Sequence, residues 1–424
     1  MLRMRILVAV LVCGSLSTAA HAQDPVSDWN AIAIKYIQVG NASVNPPVPA
    51  GRPGPAGLLD IAIVHAAVHD AVQAIEGRFE PYHYSDSTRR GIGAPAAAVA
   101  GAARRMLLLL YPQHQAAVED EYTGYVDVHG LAGDPGLETG DAAARAVHQA
   151  QYRATVPLVF TGRPGIGQWQ STRNMAAAFL AITTPFTFDR PSQFRPEPPP
   201  PLTSEIYRRD FDEVRARASA NSHPNVHTDM TKFWSSSFNY FTQFDEALRA
   251  IASPRLGVGD SARLFALASL ARADAIIAIW DSKYYYNFWR PSAAIPAGDQ
   301  DGNEKTTGDG SWLPYFTAIG QGEPPYPDYV SGANGLTAAL TGIVRLFFGT
   351  DELAFSIRNP ADPSLFNPER FFTRLSDVER ELVEGRLLLG LHFRTADEEG
   401  RRLGLRVAEW TFKKVLRPIP AASR

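Results

Sequence analysis

The longest helical pattern in the chain is the stretch DSARLFALASLARADAIIAIWDSKYYYNFW, residues 260–289. Its alanines and leucines recur at intervals of three and four residues, which is the spacing of residues on one helix face. Asp260 or Ser261 is predicted to cap the N-terminus of this helix. A chain built around such a segment is predicted to fold by packing helices against one another.

Other segments repeat this pattern, whereas alternating runs rich in valine or isoleucine and bounded by tight turns are scarce. Ser376 and Glu379 have the spacing of a capping box at the start of one of these segments. The predicted fold class is therefore all-α, made of helical bundles. Besides 260–289, helices are predicted at 58–76, 94–111, about 137–153, 332–347, 376–391 and 397–416.

Two proline clusters interrupt the helical segments. Residues 43–57, SVNPPVPAGRPGPAG, are predicted to form a non-helical surface arm. Residues 194–202, FRPEPPPPL, are predicted to form a stiff extended connector. This connector is the candidate boundary between an N-terminal helical region, 23–195, and a C-terminal helical region, 196–424, in which we expect the functional site.

The N-terminus has the pattern of a secretory signal peptide. In residues 1–22 two arginines precede an apolar run that ends in Ala20-His21-Ala22, so cleavage is predicted before Gln23. The alternative of a transmembrane anchor is disfavoured because the apolar run is too short to span a bilayer. The pattern predicts a periplasmic or secreted protein, and after cleavage no integral membrane segment is expected.

Cysteine content and charge exclude several functional classes. The one cysteine, Cys13, lies in the signal peptide, so the mature chain is predicted to lack disulfides, thiolate catalysis and cysteine-ligated zinc. The formal net charge is −3, and loss of Arg3 and Arg5 with residues 1–22 changes it to −5. This charge gives no indication of nucleic-acid binding, so the expected partner is a small-molecule substrate or an oxyanion. The sequence leaves open whether the protein forms a homodimer.

Lys283 and Arg290 stand seven residues apart in KYYYNFWRP. Seven residues is nearly two helical turns, so both cations are predicted to lie on one side of a helix. The aromatic residues between them are unlike the residues of a solvated helix face. Two cations beside aromatic side chains would suit an anion that is partly dehydrated. The same spacing also occurs where cations merely flank a buried aromatic stripe.

Ser331 and Gly332 open an apolar helix in YPDYVSGANGLTAAL, residues 326–340. A helix start offers free backbone N–H groups, the positive end of the helix dipole and here a hydroxyl group. Glycine allows a ligand to approach the backbone closely. Ordinary N-capping by Ser331 would explain the same residues, so ligand binding and capping both remain possible interpretations.

Arg386 and His392 are six residues apart in GRLLLGLHFRTADEEG. Arginine presents a planar fork to oxyanion oxygens. His392 could attack phosphorus or ligate a metal through one ring nitrogen while a hydrogen bond holds the other. A structural role for a lone histidine near a helix is the alternative.

The order of these three motifs resembles the signature of vanadium-dependent haloperoxidases and type 2 phosphatidic acid phosphatases. The resemblance covers about residues 260–416 through KYYYNFWRPSAAI, PPYPDYVSGANG and GLHFRTADEEGRRLG. IVHAAVHDAVQAIEG, residues 63–77, is similar to the N-terminal helix of the bacterial haloperoxidase-like branch.

The resemblance implies a role for each matching position. Lys283, Arg290 and Arg386 would bind the equatorial oxygens of vanadate or phosphate, and Ser331 with the backbone of Gly332 would complete the site. His392 would ligate vanadium in bound vanadate, or would become phosphohistidine in a phosphatase. The implied cofactor is vanadate for a haloperoxidase and none for a phosphatase. Fixed cations around such an anion stabilise its trigonal-bipyramidal transition state.

The chain departs from the family pattern at the middle motif, where Ala333 replaces the usual histidine. That histidine is the general acid of the phosphatases, and loss of such a group costs about 10²–10⁴-fold in rate. Asn334 can donate a hydrogen bond but cannot transfer a proton. The acid that often follows the third-motif histidine by four residues is displaced by one position, to Asp397, which is predicted to orient His392.

Two histidines elsewhere are candidates for the missing acid. His65 and His69 lie four residues apart on one predicted helix face beside Asp70, and either could reach the pocket. A zinc pair is a further alternative, although no glutamate occupies the metalloprotease position. The third interpretation is that these polar groups tie the helix into the bundle.

The sequence therefore predicts a secreted haloperoxidase-like oxidoreductase, a peroxidase that oxidises halide at vanadate. The alternatives are an acid phosphatase, an oxyanion-site enzyme adapted to a reaction that does not need the missing proton, and a non-catalytic oxyanion-binding protein. The sequence does not identify the halide or the organic substrate, nor does it show whether Ala333 abolishes turnover.

Overall fold

The computed structural model of the protein describes residues 24–40, 49–220, 225–235, 239–359 and 364–420. The predicted signal peptide, with Cys13, lies outside these residues. The described chain folds into α-helices and one antiparallel two-stranded sheet, β1 (Glu352–Arg358) and β2 (Glu369–Arg374). The helices are α1 (Pro25–Ile34), α2 (Gly57–Glu76), α3 (Pro95–Leu110), α4 (Gln115–Val128), α5 (Gly136–Gln151), α6 (Glu205–Arg217), α7 (Asn225–Phe233), α8 (Asn239–Ala252), α9 (Val258–Tyr286), α10 (Pro291–Ala294), α11 (Tyr315–Ala318), α12 (Gly332–Phe348), α13 (Leu375–Leu388) and α14 (Arg394–Lys414).

The prediction of an all-α fold is confirmed. Every long helix expected from the sequence is present, with ends within three residues of the predicted ones. The pattern missed α1, α4 and the helices between residues 205 and 252. Helix α6, for example, is rich in charged residues, so its apolar spacing is less evident in the sequence.

Helices α2 and α9 form the centre of the molecule and pack against each other. In α2 every residue from Gly57 to Ile75 is buried, and in α9 nearly every residue from Gly259 to Lys283 is buried. A helix without a polar face must be covered on all sides. Among the described helices α2 alone has the length and apolar composition of a membrane span, and its apolar window is 100% buried inside the protein.

The main hydrophobic cluster includes residues from both sides of the 194–202 connector. Residues 195–201 of that connector have no helical structure, in agreement with the prediction. A division of the chain into two regions at this point stays a prediction.

Two capping predictions are wrong. Helix α9 begins after Gly257, without a side-chain cap, and Asp260 in its first turn accepts from Arg78 Nη2 at 2.9 Å. The capping box at the start of α13 does not form either. Ser376 donates from both its backbone N–H (3.0 Å) and its hydroxyl (2.6 Å) to the Asp351 carboxylate. A carboxylate from outside the helix thus satisfies the donors that a capping box would have served.

Helices α12 and α14 approach closely because glycines face each other where they cross. A Cβ atom on Gly404 would lie 2.1 Å from the Gly335 carbonyl oxygen, and one on Gly400 would lie 2.4 Å from the Ser331 carbonyl oxygen. The backbone N–H of Ser331 donates to the Ala396 carbonyl at 2.9 Å. This contact brings the start of α12 against the start of α14, and so brings the second sequence motif beside the third.

Candidate functional site

Lys283 lies in the last turn of α9 and is fully buried. Its ammonium group donates to the carbonyl oxygens of Pro327 (2.6 Å) and Asp328 (2.9 Å). The aromatic ring of Tyr326 lies 5.0 Å from Nζ. The end of α9 is therefore fastened to the loop that leads into α12.

Arg290 is not on the same helix as Lys283, so the prediction of one shared helix face is wrong. Helix α9 ends at Tyr286 because Asn287 adopts a left-handed conformation, with φ of 50°, and Arg290 precedes the short helix α10. The two cations nevertheless meet at one ring, since the Arg290 guanidinium also lies 5.0 Å from the centre of the Tyr326 ring.

The Arg290 guanidinium is held by backbone oxygens from two segments. Nε donates to Tyr326 at 2.9 Å and Nη1 donates to Leu391 at 2.6 Å. Nη2 is buried and has no hydrogen-bond partner within the described residues. A buried donor without a partner costs free energy, which a bound acceptor would recover.

Ser331 precedes the first residue of α12, as expected, but its hydroxyl does not cap the helix. The hydroxyl instead accepts from Asn334 Nδ2 at 3.1 Å. Gly332 borders the cavity described below, and a Cβ there would meet the Trp280 ring at 3.3 Å. Glycine thus keeps the backbone at the helix start open to a ligand.

His392 is oriented by Asp328, a residue that sequence reasoning missed. Its Nδ1 lies 2.6 Å from Asp328 Oδ1, and both side chains are buried. The prediction that Asp397 orients His392 is wrong, because Asp397 accepts from Asn334 Nδ2 at 2.7 Å. The available signal was the acid in YPDYVSG, but its distance of 64 residues from His392 concealed the pairing.

Arg386 lies in the last turn of α13 and is buried. Its Nη1 donates to the Trp234 carbonyl oxygen at 3.1 Å. Arg386 and His392 both line one cavity, and Ala333 lines it as well. Ala333, which stands where the resembled family has a histidine, therefore borders the same space as the third motif.

This cavity has a volume of about 480 Å³, far more than a tetrahedral oxyanion needs. Aliphatic and aromatic side chains supply much of its wall, and a few charged groups lie among them. The residues that line it are Gly54, Pro55, Arg173, Ala176, Ile276, Trp280, Gln321, Gly322, Glu323, Pro324, Pro325, Tyr326, Gly332, Ala333, Leu336, Arg386 and His392.

Burial and clustered cations shift the pKa values of the ionisable groups in the site. Burial lowers the pKa of Lys283 well below its usual range, and Arg290 adds to the effect. Burial, with Arg290, Lys283 and Arg386 nearby, lowers the pKa of His392 in the same way. Burial also raises the pKa of Asp328 to about 7, although the cations oppose that shift. The lowered pKa values of Lys283 and His392 mean that their charged forms are disfavoured here, and a bound anion would stabilise those forms.

His65 and His69 do not line this cavity, so the expectation that either reaches it is wrong. His65 Nε2 lies 2.9 Å from Asn30 Nδ2, and His69 Nε2 lies 3.0 Å from the Glu80 carbonyl oxygen. Asp70 accepts three backbone N–H groups of residues 82–84 at 2.6 to 2.8 Å. These contacts agree with the structural interpretation, and no metal-ligating cluster occurs among the described residues.

The residues present fit an oxyanion such as vanadate. Arg290 Nη2 is buried without a partner, and His392 Nε2, at the cavity, makes no hydrogen bond to any described residue. Because Asp328 accepts from Nδ1, the neutral ring of His392 presents the lone pair of Nε2. Together with the open backbone at Gly332, this donor set suits a vanadate or phosphate ion.

Comparisons with known proteins agree with this description. Residues 263–420 match the family model of the second helical-bundle domain of vanadium chloroperoxidase. The vanadium chloroperoxidase of Curvularia inaequalis is 31% identical over 103 residues, which are 23% of this chain and 16% of that enzyme. The sequence match thus spans about a sixth of that enzyme's length.

Solved structures extend the likeness of the fold to most of the chain. A bacterial vanadium-dependent iodoperoxidase superposes with a TM-score of 0.70 at 19% identity, covering 94% of this chain and 98% of that one. The apo form of a bacterial vanadium-dependent chloroperoxidase gives a TM-score of 0.65 at 18% identity, covering 85% and 92%.

Proposed function

We propose that this chain, which belongs to the superfamily of vanadium-dependent haloperoxidases, holds vanadate and catalyses the peroxide-dependent oxidation of halide. The observation that supports the proposal is the convergence of three separate sequence motifs. Lys283, Arg290 and Arg386 all lie close enough to His392 to lower its pKa. Such a cluster of cations around a histidine is costly without an anion to compensate it.

The charged residues of the site would bind and orient the anion. Arg290 Nη2 and the Arg386 guanidinium would donate to its oxygens, while the Lys283 ammonium would balance its charge. The backbone N–H groups at the start of α12, beside Gly332, would bind a further oxygen.

His392 would bind the anion through Nε2. The Asp328 carboxylate would accept a hydrogen bond from Nδ1–H, and this contact would fix both the tautomer and the orientation of the ring. Bound vanadate would supply a Lewis-acidic centre that activates peroxide toward halide. Asn334 would support the site indirectly, since it links Ser331 to Asp397.

We further propose that the protein acts outside the cytoplasm. The proposal rests on the N-terminal pattern of two arginines, an apolar run and Ala20-His21-Ala22. Mass spectrometry of protein purified from a bacterial periplasm tests it: cleavage before Gln23 is expected, and an intact Met1 would argue against export.

Activity assays of purified protein with and without vanadate test the main proposal. We expect peroxide-dependent bromination only with vanadate, and we expect His392→Ala to abolish it. His148→Ala, a matched substitution on α5 away from the cavity, should retain it. Phosphomonoester hydrolysis inhibited by vanadate would indicate the acid phosphatase, and vanadate binding without turnover would indicate the oxyanion-binding protein.

A further inference from the structure

Glu323 is a cavity residue for which the vanadate site described above has no use. It is the one carboxylate among the described residues that line the cavity, and its side chain is 35% exposed. The other titratable groups of the lining are two arginines, Tyr326 and His392. Ala333 cannot exchange a proton, so a proton donor or acceptor for this site must come from elsewhere in the wall.

The side chain of Glu323 is held beside Arg290. Oε1 lies 3.7 Å from Arg290 Nε, and Oε2 accepts from the Ser292 hydroxyl at 2.6 Å. The backbone oxygen of Glu323 accepts from Arg173 Nη2 at 3.1 Å. Oε1 accepts no hydrogen bond from a described residue, so this oxygen is available to a ligand.

An anion bound at Arg290 Nη2 would share its guanidinium with the Glu323 carboxylate. The ionised carboxylate and the anion, both next to one guanidinium, would repel each other unless a proton lay between them. The arrangement therefore favours a proton shared between Glu323 and an oxygen of the bound group. A carboxyl group can serve as donor or acceptor in such a transfer.

We propose that Glu323 is the proton-exchanging group of this site, in the role of the family histidine that Ala333 replaces. The proposal rests on the proposed function. The Glu323 carboxylate would take a proton from hydrogen peroxide, which gives a carboxylic acid and a hydroperoxide anion. The carboxylic acid would then return this proton to the hydroxide that hydroperoxide displaces from the bound oxyanion. One bond to hydroxide would break as one bond to hydroperoxide forms, water would leave, the carboxylate would be restored, and no group would be oxidised or reduced.

Calorimetry with inorganic phosphate tests the proposal without vanadate or turnover. Binding measured near pH 8 in two buffers of different ionisation enthalpy gives the number of protons taken up. We expect the wild-type protein to take up close to one proton more than Glu323→Gln. The other titratable groups around the proposed site, Lys283, Tyr326, Asp328 and His392, are present in both proteins, so their contributions should largely cancel in the difference.

Affinity separates proton exchange from a structural role. Glu323→Gln removes a negative charge 3.7 Å from Arg290, so phosphate should bind it at least as tightly as it binds the wild type. Glu323→Asp, which keeps a carboxylate, should retain most of the proton uptake. The matched control Glu138→Gln, an exposed glutamate on α5, should behave like the wild type.

Turnover gives the second readout. With vanadate, Glu323→Gln should lower kcat for bromination by about 10²-fold, the usual contribution of a positioned acid–base group. Adding Ala333→His to that variant should raise kcat at least tenfold, because the histidine would supply a proton donor again. A purely structural defect would show no such rescue.

Each contrary result identifies a different failure. Equal proton uptake by the wild type and Glu323→Gln overturns the role of Glu323, as does weaker phosphate binding by the variant. Proton uptake through Glu323 without bromination by the wild type overturns the haloperoxidase function and supports Glu323 as a proton-exchanging group. Absence of phosphate binding by the wild type overturns both.

Discussion

Replacement of Asp328 by asparagine removes the carboxylate that orients His392 while keeping the size of the side chain. The bond concerned joins Nδ1 to Oδ1 at 2.6 Å between two buried groups. The asparagine oxygen can still accept from Nδ1, but without a formal charge. Nε2 then becomes a weaker electron donor, so the bond that it would make to vanadium under the proposed function should be weaker.

The size of the effect follows from this contact. Loss of an outer-shell partner weakens metal binding by about 10–100-fold, which corresponds to about 1.4–2.8 kcal/mol. A buried hydrogen bond to a charged group contributes about 1.5–3 kcal/mol, so the two magnitudes agree. The substitution also removes negative charge from the surroundings of Lys283, which increases the attraction for any anion.

Asp328→Asn should change the affinities for phosphate and for vanadate in opposite directions. Phosphate binds without a metal–histidine bond, so Asp328→Asn should bind phosphate as tightly as the wild type or more tightly. Vanadate should bind about 10–100-fold more weakly. Titration calorimetry with each anion measures both affinities, and thermal unfolding confirms that the variant is folded.

Asp397→Asn is the matched control, because it makes the same chemical change at a buried carboxylate that contacts Asn334 and not His392. Its vanadate affinity should stay within about threefold of the wild type, less than the effect of an outer-shell ligand partner. Equal weakening of both anions by Asp328→Asn would refute the argument from the histidine tautomer. Unchanged vanadate affinity would refute it as well.

Three further predictions follow from other contacts. Arg290→Lys should weaken phosphate binding by about tenfold or more in calorimetry, because an ammonium group cannot reproduce the fork that spans two carbonyl oxygens; an unchanged affinity would contradict the assigned contacts. Gly404→Ala should lower the free energy of unfolding by about 1–3 kcal/mol in urea, because its Cβ would lie 2.1 Å from the Gly335 oxygen. Gly124→Ala, in open space on α4, should instead raise it by about 0.5–1 kcal/mol. Burial lowers the pKa of His65 to about 4. Between pH 6.5 and about 4 the folded state therefore binds fewer protons than the unfolded state. The free energy of unfolding should decrease as the pH falls through that range. His65→Gln should reduce this slope in denaturation series at several pH values, and an identical slope would contradict the assignment.

The helices that shape the site could be predicted because their apolar residues are close together in sequence. Helix α9 is rich in alanine and leucine at helical spacing and is buried over nearly its whole length, and α12 begins at the glycine of the middle motif. Their ends were predicted less well. Asp351, which lies before β1, serves the first turn of α13 in place of the predicted capping box, and this contact depends on the tertiary fold.

The candidate residues of the site came from the sequence, but their contacts did not. Lys283, Arg290, Arg386 and His392 were identified because the order of their motifs resembles a family signature. The sequence suggested one helix for the first two, whereas the left-handed conformation of Asn287 ends α9 between them. The cations meet because loop carbonyl oxygens and one tyrosine ring hold both.

The partner of His392 could not be inferred from the chain alone. Asp397 is five residues away in sequence, yet it belongs to a contact with Asn334. Asp328 precedes His392 by 64 residues and reaches it because the loop before α12 lies against the start of α14.

The amino-acid sequence alone determined the helical class of this protein, the candidate anion-binding residues and the presence of Ala333 where the resembled family has a histidine. These properties depend on residue type and on short spacings, which a linear pattern records. The tertiary structure decided that Asp328 orients His392 and that Glu323 lies beside Arg290 at the cavity. Both depend on contacts between distant segments, and only the packing of α12, α14 and their loops brings those segments together.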